Sequence, residues 1–105
     1  MADFNMKLRA AIDETMTGLL GKGVTETLQE HLTKEYDLPP DKIPYRLDAF
    51  SEVLDTVFGP AGSRTIRCAI TKDFYSKIGL PIVKKEDYRL QDYIELARKK
   101  VSQHD

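Results

Sequence analysis

Apolar residues in the N-terminal 40 positions recur with the period of an α-helix. Between residues 4 and 20 they are spaced by threes and fours, with Asp3 placed as an N-cap and Gly21 as a stop. A shorter, strongly acidic repeat follows, and Pro39 and Pro40 end it because proline cannot continue a helix. We therefore predict two amphipathic helices. Their predicted inward residues are Leu8, Ala11, Ile12, Met16, Leu19, Leu20, Val24, Leu28 and Leu32.

Two further apolar stripes flank the stretch "FGPAGS", residues 58–63. The first opens near Asp48, after the proline-rich connector "PPDKIPYRLD", and the second ends at Gly79, where a left-handed residue is commonly needed. The pattern predicts a third and a fourth helix joined by a glycine corner. Their stripes comprise Leu47, Phe50, Leu54, Val57 and Phe58, then Ile66, Ala69, Ile70, Phe74 and Ile78.

The C-terminal third contains the one stretch that favours an extended backbone. Ile82 and Val83 are β-branched and Pro81 blocks a helix, whereas helical spacing resumes from about Leu90 to about Val101. No other segment supplies a strand, so a central sheet is not expected. We predict an all-α fold in a single helical domain, residues 1–105: a compact bundle of about five helices with one short extended or hairpin segment near residues 81–89.

Composition places the chain among ordinary globular proteins. Of its 105 residues 41% are hydrophobic and 31% are charged, which argues against disorder. No apolar run approaches the roughly 20 residues that span a bilayer, and no leader pattern is present at the N-terminus. A cytoplasmic location, without membrane contact, is expected. The single cysteine, Cys68, excludes an intrachain disulfide and is predicted to be a small helix-borne hydrophobe.

The formal net charge of −1 conceals a division along the chain. Residues 1–60 carry six Lys or Arg and eleven Asp or Glu, hence −5, whereas residues 61–105 carry ten and six, hence +4. Two interpretations follow. Acidic and basic helices lie side by side within one domain, or the basic half contacts an anionic partner or the acidic half of a second copy.

Catalytic and cofactor chemistry finds no support in the sequence. The stretch "GPAGSR" lacks the lysine, the glycine spacing and the preceding strand of a P-loop. His31 and His104 lie far apart, and His31 with Glu35 supplies too few ligands for zinc. We expect no catalytic residues, no cofactor and no metal site, and thus no enzyme.

A nucleic-acid contact is the more specific alternative. Residues 48–79 have the outline of a helix-turn-helix pair, and a helix N-terminus with basic residues attracts anions. The sequence pI of about 6.1 counts against DNA binding, because phosphate binding requires a basic surface. The candidate anion or nucleic-acid contacts are Ser63, Arg64, Arg67 and Lys72.

Aromatic residues are frequent in the C-terminal half and suggest a protein interface. Interfaces are enriched in tyrosine and phenylalanine, and these side chains exceed what one thin core is expected to absorb. The candidate interface residues are Phe74, Tyr75, Tyr88 and Tyr93.

Four stretches, "KEYDLPPDKIP", "LDAFSEVLDTVFGPAGSRTI", "ITKDFYSKIGL" and "YRLQDYIELARKK", together resemble a family of small archaeal domains of uncharacterised function, the Nitrosopumilus output domain type. The resemblance spans nearly the whole chain. It implies an output or adaptor role in signalling without catalysis, and it supplies no set of functional residues.

These observations predict a non-enzymatic interaction or signalling-output module that self-associates, as a homodimer, or binds a protein partner. The alternative is a DNA-binding transcriptional regulator that uses residues 48–79. A small-molecule-binding bundle is a third class, which an internal cavity would distinguish.

Overall fold

Four α-helices form most of the part of the chain that the structure, a computed structural model, describes: residues 2–85 and 87–103. They are α1 (Ala2–Leu20), α2 (Lys22–Tyr36), α3 (Leu47–Ile78) and α4 (Leu90–Gln103), with a short 3-10 helix at Ile43–Tyr45. No strand occurs in these residues. The predicted all-α fold is confirmed, and none of the described helices is long and apolar enough to cross a membrane.

The glycine corner gives four helices where about five were predicted. Only Gly59 departs from helical geometry, with φ 78° and ψ 166°, and Pro60 directly after it begins the next helical turn. Proline suits that first position because its missing N–H would have no helical partner there. The chain bends at this one non-helical residue, and the predicted third and fourth helices are the two segments of α3, residues 47–58 and 60–78.

Glycine and one aspartate also shape the helix ends. Gly21, between α1 and α2, has φ 87° and ψ 159°, nearly the backbone conformation of Gly59. Gly79 is left-handed with φ 71°, as predicted, and caps α3 by donating its N–H to the Ser76 carbonyl. Asp37 ends α2 in the same left-handed region. The chain therefore turns at the residues whose short or absent side chains tolerate these dihedral angles.

The hydrophobic core lies between α1 and α3, and it is extended by α4, which packs on α3, and by α2, which packs on α1. The inward stripes were largely predicted from periodicity. Three predicted positions, Leu19, Val24 and Val57, are instead exposed. Each lies within three residues of Gly21 or Gly59, where the turn of the chain carries the stripe out of the core. The largest fully buried side chains include Phe50, Phe74, Tyr75, Leu8, Leu32, Leu38, Leu54, Ile70 and Ile94.

Residues 81–85, between α3 and α4, adopt no regular secondary structure. The hairpin form of the prediction is wrong for these residues, because no second strand pairs with them. A single turn, in which the Tyr88 N–H donates to the Lys85 carbonyl at 3.2 Å, leads towards α4. We call residues 81–89 the strap; Glu86 is not among the described residues.

Candidate interaction surface

The glycine corner is a packed structural junction. Ser63, predicted to contact an anion, is fully buried, and its hydroxyl accepts a hydrogen bond from Arg67 Nε at 3.1 Å. The Arg67 guanidinium also lies 3.7 Å from the Asp55 carboxylate on the other side of the kink. Two of the four candidate anion contacts are therefore occupied within the fold, because they join the two segments of α3.

The other two candidate anion contacts lie at the surface. Arg64 and Lys72 are exposed on α3, two helical turns apart, with Cys68 midway between them. Cys68 was predicted to be a helix-borne hydrophobe, and it too is solvent-exposed. The surface thus offers two cations and a thiol, and Thr71 beside them is buried with its hydroxyl bonded to the Arg67 carbonyl.

Two of the predicted interface residues are core residues. Phe74 is 0% exposed and Tyr75 is 2% exposed within the single chain. Helix α3 has α1 on one side, where Phe4 meets Phe74 edge to face at 5.0 Å, and α4 on the other, where Tyr93 meets Tyr75 at 6.4 Å. A helix covered on two sides buries adjacent positions. Phe74 and Tyr75 are therefore unavailable to a partner.

The hydroxyl of Tyr75 ties α3 to α4. It donates a hydrogen bond to the backbone carbonyl of Tyr93 at 2.6 Å. Burial raises the pKa of Tyr75 above 10.0, and the neighbouring Tyr93 and Tyr88 raise this pKa further. The hydroxyl therefore stays protonated and remains a donor at neutral pH.

Tyr93 holds the strap in place through its own hydroxyl. This oxygen accepts the Lys85 N–H at 2.8 Å and donates to the Lys85 carbonyl at 3.1 Å, so one side chain satisfies both backbone groups of one residue. The Tyr88 ring meets the Tyr93 ring edge to face at 5.2 Å, and the Lys85 ammonium lies 5.9 Å from the centre of the Tyr88 ring. The strap is thereby fixed at two points to the start of α4.

Every described residue of the strap is exposed. Its apolar side chains are exposed to 40% at Ile82, 56% at Val83 and 38% at Tyr88. Lys84 and Lys85 follow the two β-branched residues directly, and neither takes part in an ion pair between described residues. The strap therefore presents two apolar residues and two lysines on a backbone held at Lys85, with the exposed carboxylate of Asp87 two residues further on.

An open groove of about 560 Å³ lies along the outer face of α2. Glu26 and Glu30 line it one helical turn apart, and no ion pair between described residues includes either carboxylate. Lys34 lies one turn further on, and Pro40 contributes to one wall. This groove, which we call the α2 groove, is the acidic counterpart of the strap.

A second open groove, of about 530 Å³, lies between the 3-10 helix and α4. Its cations already have partners: Arg89 lies 3.4 Å from Asp92, and Arg98 lies 3.5 Å from Glu95 and over the Phe4 ring at 4.6 Å. The remaining wall is mixed in charge and polarity. Among its charged lining residues Asp48 alone takes part in no ion pair between described residues, so the groove offers a ligand a single unpaired carboxylate.

Within residues 2–85 and 87–103 no three His, Cys, Asp or Glu side chains converge as a metal site would require. His31 packs its ring edge to face with Tyr36, 5.6 Å apart, and His104 lies outside the described residues. No family model, curated protein or solved structure matches the chain.

Sequence reasoning named Tyr88 and Tyr93 as interface candidates and missed the hydrogen bonds by which Tyr93 holds the strap. The hydrogen bonds from Tyr93 to Lys85 span eight residues and depend on how α4 folds back on α3. The signal in the sequence was the apolar and basic run "IVKK", residues 82–85, which was read only as a possible strand. The α2 groove had no separate signal beyond the acidic character of that helix.

Proposed function

We propose that the protein is a non-enzymatic interaction module that binds a protein partner, a second copy included, through the strap. In this role the helices are the scaffold, and the strap is the recognition segment. The resemblance to small archaeal output domains supports an output or adaptor role in signalling.

The observation that carries the proposal is the fixed presentation of apolar side chains. Single exposed apolar residues are ordinary on protein surfaces. In the strap, however, two adjacent β-branched residues and a tyrosine are exposed within one short segment, and clustering of exposed apolar residues favours an interaction site. The hydrogen bonds of Tyr93 to Lys85 hold the backbone before any partner arrives, which lowers the ordering cost of binding.

The experiment compares the wild type with the double variant Ile82→Ser and Val83→Ser. Both side chains are exposed, so the fold should persist and only the surface should change. The matched control is Val24→Ser with Val57→Ser, which removes two exposed β-branched residues away from the strap. The readouts are molar mass by light scattering and partner capture from native lysate by immobilised protein.

We expect the strap variant to lose self-association or capture, and the control to retain it. Equal behaviour of the two variants, with thermal unfolding unchanged in both, would contradict the proposed role of the strap. A strictly monomeric wild type that also captures nothing would contradict the interaction module altogether.

A DNA contact by α3 is the second candidate, supported by the exposure of Arg64 and Lys72. It predicts that Arg64→Ala with Lys72→Ala weakens a salt-dependent affinity for duplex DNA. The matched control is Lys7→Ala with Arg9→Ala, which removes the same charge from exposed positions of α1. A wild type that fails to shift labelled duplex at about 50 mM salt, where phosphate contacts are strongest, would end this candidate.

A further inference from the structure

We infer that the strap of one copy binds in the α2 groove of a second copy, and that the two contacts form reciprocally in a symmetric dimer. This inference rests on the proposed function, because it names the partner of the strap. Three properties of the strap and the α2 groove support it: their charges, their shapes and their lengths.

Charge is the first match. Lys84 and Lys85 are adjacent on the strap, and Glu26 and Glu30 are one turn apart in the groove. Among the described residues, each surface also carries one charge of the other sign, Asp87 on the strap and Lys34 in the groove, so the match is between these two pairs of like charges. All four side chains are exposed, and none has an ion-pair partner among the described residues. The described residues that line the α2 groove do not include any from the strap of the same copy. Complementary charges that are unpaired in one copy favour pairing between copies.

Shape and length are the second match. The strap is irregular and exposed, and the groove is open along the helix, as an extended segment requires. The five residues 81–85, which precede the turn, reach at most about 17 Å when extended, and the part of α2 that lines the groove, from Gly23 to Lys34, extends about 17 Å. The strap is therefore long enough to follow the groove. Gly23, which also lines the groove, presents no side chain to obstruct a backbone.

Reciprocity follows from every copy carrying both surfaces. In a two-fold dimer the same patch serves on both copies, so each strap meets the other copy's groove. Because the dimer contains this contact twice, the total buried area is twice that of one contact. Two small contacts together can thereby approach the roughly 1,600 Å² of a standard interface. The division of net charge along the chain then serves ion pairs within a copy, such as Arg67 with Asp55, and contacts between copies.

The test exchanges charges between the two surfaces. One variant carries Lys84→Glu with Lys85→Glu, and a second carries Glu26→Lys with Glu30→Lys. The third combines all four substitutions, which restores opposite charges across both contacts. The control, Lys7→Glu with Arg9→Glu, applies the same charge change to exposed residues of α1. Molar mass is measured by light scattering from about 50 to 500 mM salt, a range over which surface charges become screened. A reductant prevents cross-linking through exposed Cys68.

We expect a wild-type dimer that weakens as salt rises. Each two-site variant should raise the dimer dissociation constant by at least tenfold, which corresponds to about 1.4 kcal/mol. The four-site variant should restore the dimer, and a mixture of the two two-site variants should form a mixed dimer, because both of its contacts join opposite charges. The control should behave as the wild type.

Two outcomes overturn the inference and separate it from the proposed function. If the strap reversal abolishes the dimer but the groove reversal does not, the strap remains the binding segment and the α2 groove is not its site. If the wild type is a monomer at about 0.5 mM and low salt, the second copy is excluded as the occupant, and the lysate capture with Ile82→Ser and Val83→Ser decides the proposed function by itself.

Discussion

Five of the nine Phe and Tyr residues form one continuous series of ring contacts whose two ends behave differently. At one end Phe4, Phe74 and Tyr75 are buried and hold α1, α3 and α4 together. At the other end Tyr93 and Tyr88 support the exposed strap. The comparison teaches that the count of aromatic residues does not identify an interface. What distinguishes the two ends is whether a second helix covers the ring or a backbone segment is held by its hydroxyl.

The largest expected effect is at the buried end. Phe74→Ala removes a fully buried ring that packs against Phe4 and Tyr75, and we expect the free energy of unfolding to fall by about 3–5 kcal/mol. Urea denaturation followed by circular dichroism measures the change. Tyr36→Ala, at an exposed ring on α2, should cost less than about 1 kcal/mol. Similar losses for the two variants would show that the buried ring of Phe74 stabilises the fold no more than an exposed ring does.

Tyr75 should give the next largest effect, which depends on pH. Tyr75→Phe removes the hydrogen bond to the Tyr93 carbonyl and should cost about 1 kcal/mol at neutral pH. Because the folded protein holds the pKa of Tyr75 above 10.0, the unfolded chain releases this proton first as the pH rises. Stability from Tyr75 is thus complete below about pH 10 and is lost above it.

The measurement is urea denaturation at several pH values between 8 and 11. The wild type should lose stability across the upper part of this range, and Tyr75→Phe should lose less. Lys77 acts in the same direction, since its hydrogen bond to Glu14 raises the pKa of Lys77 above 10.5. The comparison is therefore repeated in a Lys77→Gln background. If the free energy of unfolding falls equally with pH in the Lys77→Gln protein with Tyr75 and in the same protein with Tyr75→Phe, Tyr75 is not the source of the pH dependence.

Tyr93→Phe should have a smaller effect on overall stability and a local effect on the strap. It removes both hydrogen bonds to Lys85 but keeps the ring, so we expect a loss of about 1 kcal/mol or less. Trypsin should then cleave after Lys84 and Lys85 several times faster. Tyr45→Phe removes an exposed hydroxyl that accepts a hydrogen bond from Asn5 and should leave cleavage at the strap unchanged. Equal cleavage of wild type and Tyr93→Phe would mean that the hydroxyl does not hold the strap.

The smallest effect on stability is expected at the exposed end. Ile82→Ser with Val83→Ser should change the free energy of unfolding by no more than about 0.5 kcal/mol, as surface substitutions usually do. The same variant should lose partner binding, so stability and binding would change independently. A large loss of stability would show instead that the strap packs as part of the core.

Much of the fold follows from the spacing of apolar residues. Positions such as Leu8, Leu32 and Leu54 repeat on one helical face, and each is buried. The left-handed cap at Gly79 was predicted because few other residues tolerate it. The number of helices was not predicted correctly. The sequence "GPAGS" is compatible with a loop between two helices or with a kink within one, and only the backbone conformation after Gly59 distinguishes the two.

The candidate site was less predictable because it depends on contacts between distant segments. Ser63 and Arg67 were assigned to a ligand as polar residues near a helix start, yet Asp55 pairs with Arg67 across the kink. Phe74 and Tyr75 were assigned to an interface because periodicity assumes one buried face, whereas α3 is covered from two sides. Helical periodicity describes one element at a time and carries no information on how many neighbours cover it.

The chain's only thiol is exposed, so one spin label can be attached to each copy and the distance between copies can be measured. Cys68 lies on α3, outside both the strap and α2, so a spin label attached there would not replace a residue of either proposed contact surface. In a symmetric dimer the two labels would report a single distance between copies, and in an open chain of copies each label would have neighbours on two sides. The natural sequence therefore provides, without any substitution, a spectroscopic means of telling closed assembly from open assembly.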